Sequence, residues 1–322
     1  MTAQPANAFT RGLILISITV LFWGMLSIAL SFALKVQDGV TITWFRFLVA
    51  AIVCFIYQMA RGRLREYRTL KPREWAIMFV AGVLLITDYV GFVVALNYIS
   101  PATNQIFNQA TPLFMALGGI IFFRERLTFI QVLCFAGLIA GLMMFSNAAL
   151  SEMTAEAALS GDRQNFIIGA SIAVFCSFTW ACYAMLQKGL GSRLSSTNIF
   201  LFIYVLAIVL LLPIVDLASF GDVKGAGWGI LAFCAFNTLI AYGAFGESLR
   251  YWPATHISSV VAATPLVTIF CSYFAHRLWP ETIPFPTVNT LGWFGVALTL
   301  ICMVLFNMRP KAKAAKETTE AA

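Results

Sequence analysis

The sequence predicts an all-α integral membrane protein of ten transmembrane helices, built as two inverted five-helix repeats with both termini cytoplasmic. Composition, the length of the apolar blocks and a self-similarity at fixed offset carry that prediction. Sixty per cent of the 322 residues are hydrophobic and 11% are charged, whereas a soluble domain carries roughly 25% charge. A soluble fold of this size needs a polar coat, which this chain cannot supply.

The apolar residues fall in blocks of about 20, the length a helix needs to cross roughly 30 Å of hydrocarbon. The candidate spans are 12–34, 41–60, 75–98, 101–123, 127–147, 166–188, 196–215, 227–250, 254–276 and 288–308. A membrane barrel would instead show short alternating segments. The first span is too long for a signal peptide's apolar region and lacks a small-residue cleavage site, so it is expected to remain as helix one.

Charge orients these spans. Sixteen of the 21 Lys and Arg residues fall on one side of the predicted topology and four (Lys35, Arg163, Lys224, Arg277) on the other, with Arg46 inside span two. Six of the sixteen cluster between spans two and three: Arg61, Arg63, Arg65, Arg68, Lys71 and Arg73. The positive-inside rule makes the basic side cytoplasmic. The net charge of +7 is thus a topology signal and implies no nucleic-acid partner. The seven cysteines all fall inside spans at no metal-ligand spacing and read as small packing residues.

Sliding the chain by 153 residues aligns Trp75 with Trp228, Tyr89 with Tyr242, Phe92 with Phe245 and Leu96 with Leu249. The same offset aligns Ala110-Thr111-Pro112-Leu113 with Ala263-Thr264-Pro265-Leu266. Five spans per half is an odd number, so the second half enters the membrane upside down, the organisation that lets two similar halves alternate around a midplane site. The units are residues 1–147 and 166–308, joined by an external linker at 148–165 and followed by a cytoplasmic tail at 309–322.

Pro101 and Pro253 suit the first turn of a helix, with Ser100 as a cap for span four. Pro112 and Pro265 fall 11 and 12 residues later, about 17 Å down each helix and near the bilayer centre. Each frees the carbonyl four residues earlier, at Asn108 and Val261. Such a carbonyl needs a helix, a water or a ligand; a kink satisfied by a local Ser or Thr is the plain alternative. Asn104, Asn108 and Thr111 share one helical face, with Gln105 and Gln109 on the adjoining stripe. Thr255, Ser258, Ser259 and Thr264 give span nine a milder version. The polar face is expected to be a cavity wall, although interhelical hydrogen bonding uses the same residue types.

Asp88 lies 13 residues into span three, about 20 Å from the cytoplasmic end. A carboxylate so deep is a functional candidate, either for a substrate ammonium or as a proton carrier, with a structural hydrogen bond as the alternative. Glu247 and Arg250 are spaced for a local ion pair. His256 is expected near water, and Arg46 is shallow enough to snorkel. Trp44, Trp75, Trp228, Trp252 and Trp279 fall where interfacial belts are expected. Trp23, Tyr89, Trp180, Tyr183 and Tyr242 lie deeper and are expected to line an aromatic cavity. Gly91 with Ala95, and Gly137 with Gly141, suit close helix contact. There is no phosphate loop for ATP hydrolysis and no metalloprotease or hydrolase motif. No cofactor, metal or ATPase subunit is expected.

Trp23-Gly24 in span one, Arg46 early in span two, and Pro112 followed by Arg124-Glu125-Arg126-Leu127 resemble the EamA-type members of the drug/metabolite transporter superfamily. So do Gly137 and Gly141 in span five, and Trp180 with Tyr183 in span six. The second half departs from the pattern: a Glu-Arg-Leu loop would be expected where it reads His276-Arg277-Leu278-Trp279-Pro280-Glu281. The resemblance covers nearly the whole chain and is greatest to bacterial YddG-like exporters of aromatic amino acids. It implies a multi-pass protein of the bacterial inner membrane, a secondary transporter and not an enzyme, with Arg46 as a gate or substrate-carboxylate contact. Sugar phosphates need fixed cations, and only Arg46 lies inside a span away from its cytoplasmic end. The expected passenger is therefore neutral or zwitterionic, an aromatic or hydrophobic amino acid. The rival readings are a carrier of other hydrophobic drugs or metabolites, a channel, or a membrane-embedded enzyme.

Overall fold

The computed structural model describes residues 6–95, 97–99, 104, 107–147, 151, 163–281, 283 and 288–308. Ser100, Pro101, Gln105, nearly all of the 148–165 linker and the 309–322 tail lie outside the described residues. All regular structure among the described residues is helical. The helices are α1 (Ala6–Ala33), α2 (Gly39–Ala60), α3 (Pro72–Ala95), α4 (Ala110–Phe123), α5 (Phe129–Phe145) and α6 (Arg163–Leu190). There follow α7 (Ser196–Leu211), α8 (Ala226–Tyr251), α9 (Ala254–Val261), α10 (Thr264–Leu278) and α11 (Thr290–Asn307). Eight stretches are long and apolar enough to cross a membrane, with α9 and α10 counted together as one; α4 and α5 are shorter apolar helices.

Local chemistry sets several of the starts. Asp38 caps α2 by accepting from the amides of Val40 and Thr41 at 2.9 and 3.0 Å. Thr128 and Gln131 form a reciprocal capping box at the start of α5, which satisfies two otherwise orphaned amides. Asn289 caps α11 through the Gly292 amide at 2.8 Å. Pro72 opens α3 at the one place in a helix where proline costs little.

Span nine is divided. Helix α9 stops at Val261 and α10 starts at Thr264, with Pro265 in its first turn. The backbone stays right-handed across Ala262 (φ −57°, ψ −22°) and Ala263 (φ −81°, ψ −2°), so the interruption is a kink and not a break. The equivalent point of the first half is similar: a turn at Gln109 precedes α4, whose third residue is Pro112.

The packing comes in matched pairs. Helix α1 lies on α8 and α10, and α6 lies on α3 and α4. Helix α2 packs on α8 as α3 packs on α7, while α2 meets α7, α4 meets α9 and α5 meets α11. The α5–α11 contact is backbone-close. A Cβ on Gly295 would stand 2.4 Å from the Gly141 carbonyl oxygen, and one on Gly137 would stand 2.4 Å from Cys302 Sγ. Small residues therefore let these helices touch, where lipid offers no hydrophobic drive. Gly91 likewise faces Cys176, its Cβ position 2.3 Å from that sulfur.

Several sequence expectations are corrected here. Trp44 and Trp252 do not face outward as belt residues would: both are buried, their indoles donating to the carbonyls of Ile208 and Phe9 at 3.1 Å each. Trp75, Trp228 and Trp279 are exposed on the outside of the bundle. Arg46 does not snorkel; its side chain is buried in the bundle. His256 is held between Asn307 (3.0 Å) and Gln131 (3.4 Å), with Trp252 and Phe306 against its ring. Glu247 and Arg250 do pair, at 3.7 Å.

Candidate functional site

A cavity of about 340 Å³ lies where α1, α2, α3, α6 and α8 meet the two proline kinks. It is lined by Trp23, Arg46, Asp88, Tyr89, Asn108, Pro112, Trp180, Tyr242 and Pro265, all singled out from sequence. Two further candidates, Asn104 and Tyr183, do not reach it. Asn104 is fully buried and donates from Nδ2 to the Phe92 carbonyl at 3.1 Å, a helix-to-helix tie. Tyr183 is buried behind Trp180, its hydroxyl bonded to Gln187.

The aromatic wall is a packed unit. Trp23 stands edge-on to Trp180 (5.6 Å, 73°) and to Tyr242 (5.4 Å, 66°). Phe245 backs both tryptophans at 5.4 and 5.1 Å. Edge-to-face contacts of this kind add about 0.5–1.5 kcal/mol each beyond burial and fix ring orientation. The Tyr89 hydroxyl donates to the Tyr242 hydroxyl at 2.5 Å. These two tyrosines are equivalents under the 153-residue offset, so a side chain of one half meets its counterpart in the other.

One basic and one acidic side chain face this wall. Arg46 is 1% exposed; its Nε donates to Thr238 Oγ1 at 2.8 Å and its guanidinium lies over the Tyr89 ring at 5.6 Å. Its Nη2 has no hydrogen-bond partner among the described residues. Thr238 in turn donates to the Cys234 carbonyl, leaving its lone pairs for Arg46. Asp88 is half-buried on α3 and forms no ion pair among the described residues. A buried guanidinium donor and a carboxylate acceptor in one aromatic cavity can hold both ends of a zwitterion.

Asn108 and Val261, the residues whose carbonyls the prolines free, both line the cavity. The Val261 carbonyl is taken by Thr264 Oγ1 at 2.7 Å, the local solution to a proline kink. Asn108 Oδ1 accepts from Ser177 at 3.3 Å. Thr111, Gln109 and Thr264 are at the wall as the polar-face reading expects, whereas Ser258 and Ser259 bond within α9 to the Thr255 and His256 carbonyls.

Sequence reasoning missed the rest of the α1 wall: Leu26, Ser27, Leu30 and Leu34. They follow Trp23 at helical spacing, which was the available signal. Thr43, Gly39, Phe92 and Val93 complete the site. Leu34, Gly39 and Val93 lie where α1 ends, α2 begins and α3 ends, and Leu34 is exposed there. At the opposite end, Trp252 covers the start of α1, its ring 5.0 Å from Phe9. The cavity thus reaches toward one end of the bundle only. Among the described residues no group of three or more His, Cys, Asp or Glu is placed to hold a metal.

A model of the EamA-like transporter family matches residues 10–147 and again 167–308. The chain is 30% identical over 285 residues to the uncharacterized inner membrane transporter YhbE of Escherichia coli (strain K12), covering 88% of this chain and 87% of that protein. It is 30% identical over 302 residues to an uncharacterized transporter of Haemophilus influenzae, covering 94% of each. One solved crystal structure superposes with a TM-score of 0.73 at 15% sequence identity, covering 92% of this chain and 97% of the other.

Proposed function

Because this chain belongs to the EamA-like transporter family, we propose that it is a secondary carrier that exports aromatic amino acids by alternating access. The observation that carries the proposal is the cavity: an aromatic wall with one carboxylate, Asp88, and one buried guanidinium with a free donor, Arg46. At about 340 Å³ it falls at the lower end of small-ligand sites. Arg46 takes the substrate carboxylate, Asp88 the ammonium, and Trp23, Trp180 and Tyr242 the ring. A sugar phosphate would meet a single cation here, too few for a doubly charged group.

The protein is a multi-pass inner membrane protein: it has several helices long and apolar enough to span, and its relative YhbE is named an inner membrane transporter. We read its topology as ten spans, five in each of the two stretches that match the family model, with both termini cytoplasmic and the halves inverted. The matched helix packing and the Tyr89–Tyr242 contact support that reading, since a residue that touches its own equivalent lies on the axis relating the halves. In this topology the cavity reaches the external end, the outward-facing arrangement. Pro112 and Pro265 sit at the kinks where α4 and the α9–α10 pair bend around it.

The test is uptake and counterflow of labelled Phe, Trp and Tyr in proteoliposomes. Saturable, mutually competitive movement is expected. Movement of sugar phosphates without Phe or Trp would sink the substrate assignment, and single-channel currents would sink the carrier.

A further inference from the structure

One contact at the closed end is built more elaborately than helix packing requires. Helix α4 ends at Phe123, and Arg124 then takes a left-handed conformation (φ 52°, ψ 35°), the one non-glycine residue to do so among the described residues. A side chain resists that region by about 1–2 kcal/mol. The turn carries Glu125 back across the end of α4. There Oε1 lies 2.6 Å from Lys188 Nζ on α6 and accepts from the Ala254 amide at 2.8 Å, while Oε2 accepts from the Thr255 amide at 2.9 Å. One carboxylate therefore joins α4, α6 and the first turn of α9. Gly119 makes room for it: a Cβ there would stand 2.7 Å from Oε2 and 3.1 Å from Thr255 Cγ2. Lys188 also lies 4.7 Å over the Phe123 ring and 3.5 Å from the Trp252 carbonyl. Both charged side chains are nearly covered, at 11% and 15% exposure.

We infer that Glu125 is the positioning residue of a cytoplasmic gate, a latch that holds α4, α6 and α9 together while the cavity faces outward and lets go when it faces inward. The inference rests on the alternating-access reading above. A carboxylate suits the task because a helix start offers it two free amides and a positive dipole end, contacts made or lost by a small swing of the loop. Burial alone would raise the Glu125 carboxyl, but Lys188 and the two amides hold it below the usual carboxylate range. The latch is therefore charged at neutral pH.

Among the described residues the second half has no equivalent latch. At the 153-residue offset from Glu125 stands Leu278, apolar and 68% exposed. The two ends are thus chemically unlike at this position, and the carboxylate stands at the inner one.

The test uses full-length protein in nanodiscs, its native cysteines replaced, with spin labels at Arg126→Cys and Ser192→Cys and distances read by double electron–electron resonance. One narrow distance is expected without substrate. Glu125→Gln, which keeps the shape and loses the charge, is expected to add a longer-distance population. Lys188→Met is expected to do so to a smaller extent, because the carboxylate keeps its amides. If Glu125→Gln fails to insert, Lys188→Met decides. If Phe or Trp shifts the distribution and neither variant does, the latch is overturned while the carrier stands. If neither substrates nor variants move it, alternating access fails first.

Discussion

Asp88→Asn is the most direct probe of the site. The substitution preserves shape and leaves the aromatic wall in place, so only the charge offered to a substrate ammonium changes. A hydrogen bond to a charged group contributes roughly 1.5–3 kcal/mol. Two features place the expected loss at the lower end of that range. Asp88 is half-buried and not fully enclosed, and the cavity reaches an exposed rim at Leu34; water admitted there weakens the attraction. A loss of about 1.5–2 kcal/mol corresponds to a rise of roughly 10- to 30-fold in the KM for Phe, at about 1.4 kcal/mol per factor of ten. The assay is initial-rate uptake of labelled Phe in proteoliposomes, with 3-phenylpropionate as a competitor that lacks the ammonium. The variant should lose Phe affinity and leave competition by phenylpropionate unchanged or improved. A Phe KM within twofold of the native value would refute the assignment of Asp88 to the ammonium.

Three further outcomes test the scaffold. Gly295→Ala would place a Cβ 2.4 Å from the Gly141 carbonyl oxygen and 2.5 Å from the Phe145 amide nitrogen; backbone cannot yield as a side chain tip can, so α5 and α11 should separate at about 1–3 kcal/mol, and an unchanged melting temperature in detergent would contradict that contact. Arg124→Gly should raise the melting temperature by relieving the left-handed backbone at φ 52°, whereas Arg124→Val should lower it; the reverse order would show that the turn is unstrained. Glu66 lies on the short 3₁₀ helix Arg63–Thr69, where burial opposes its charge but bonds from Ser195 and Asn198, aided by Arg63, hold it below the ordinary carboxylate value of 4.5. Its folded-state value is the lower one, so its stabilisation is complete above pH 4.5 and fades as the pH falls below that. Glu66→Gln should therefore lower the melting temperature at pH 7 and matter less near pH 3; an equal effect at both would show that the charge plays no part.

Much of this was legible in the sequence because membranes impose simple rules. Apolar length marked out the helices, and the Tyr89–Tyr242 and Pro112–Pro265 pairs marked an internal offset with which the helix packing agrees. What was not legible depended on neighbours. Arg46 reads as a snorkelling residue by depth alone, and only the approach of α8 with Thr238 shows why it stays inside. Trp44 and Trp252 sit at interface depth, yet α7 and the start of α1 cover them. Asn104 and Asn108 share a helix face, but one turn of height separates a buried tie from a cavity wall. Periodicity along one helix says which residues share a side; it does not say which other helix lies against that side.

The asymmetry between the halves has an energetic consequence. If two inverted repeats were identical, the inward- and outward-facing states would be the same structure viewed from opposite sides, and equally populated. Any preference must therefore come from positions where the halves differ. Equivalent helix pairs meet in both halves, so the preference rests on which side chains fill those contacts. Glu125 and Leu278 are one such mismatch, and Glu125 is the residue proposed to latch the inner end. A few kilocalories per mole at one such point are enough to make one state the minor one. Under the proposed export, a substrate entering from the cytoplasm must then supply differential binding in the inward state to match it. In the proposed mechanism, the charged inner latch sets how tightly an exported amino acid has to be held before the gate opens.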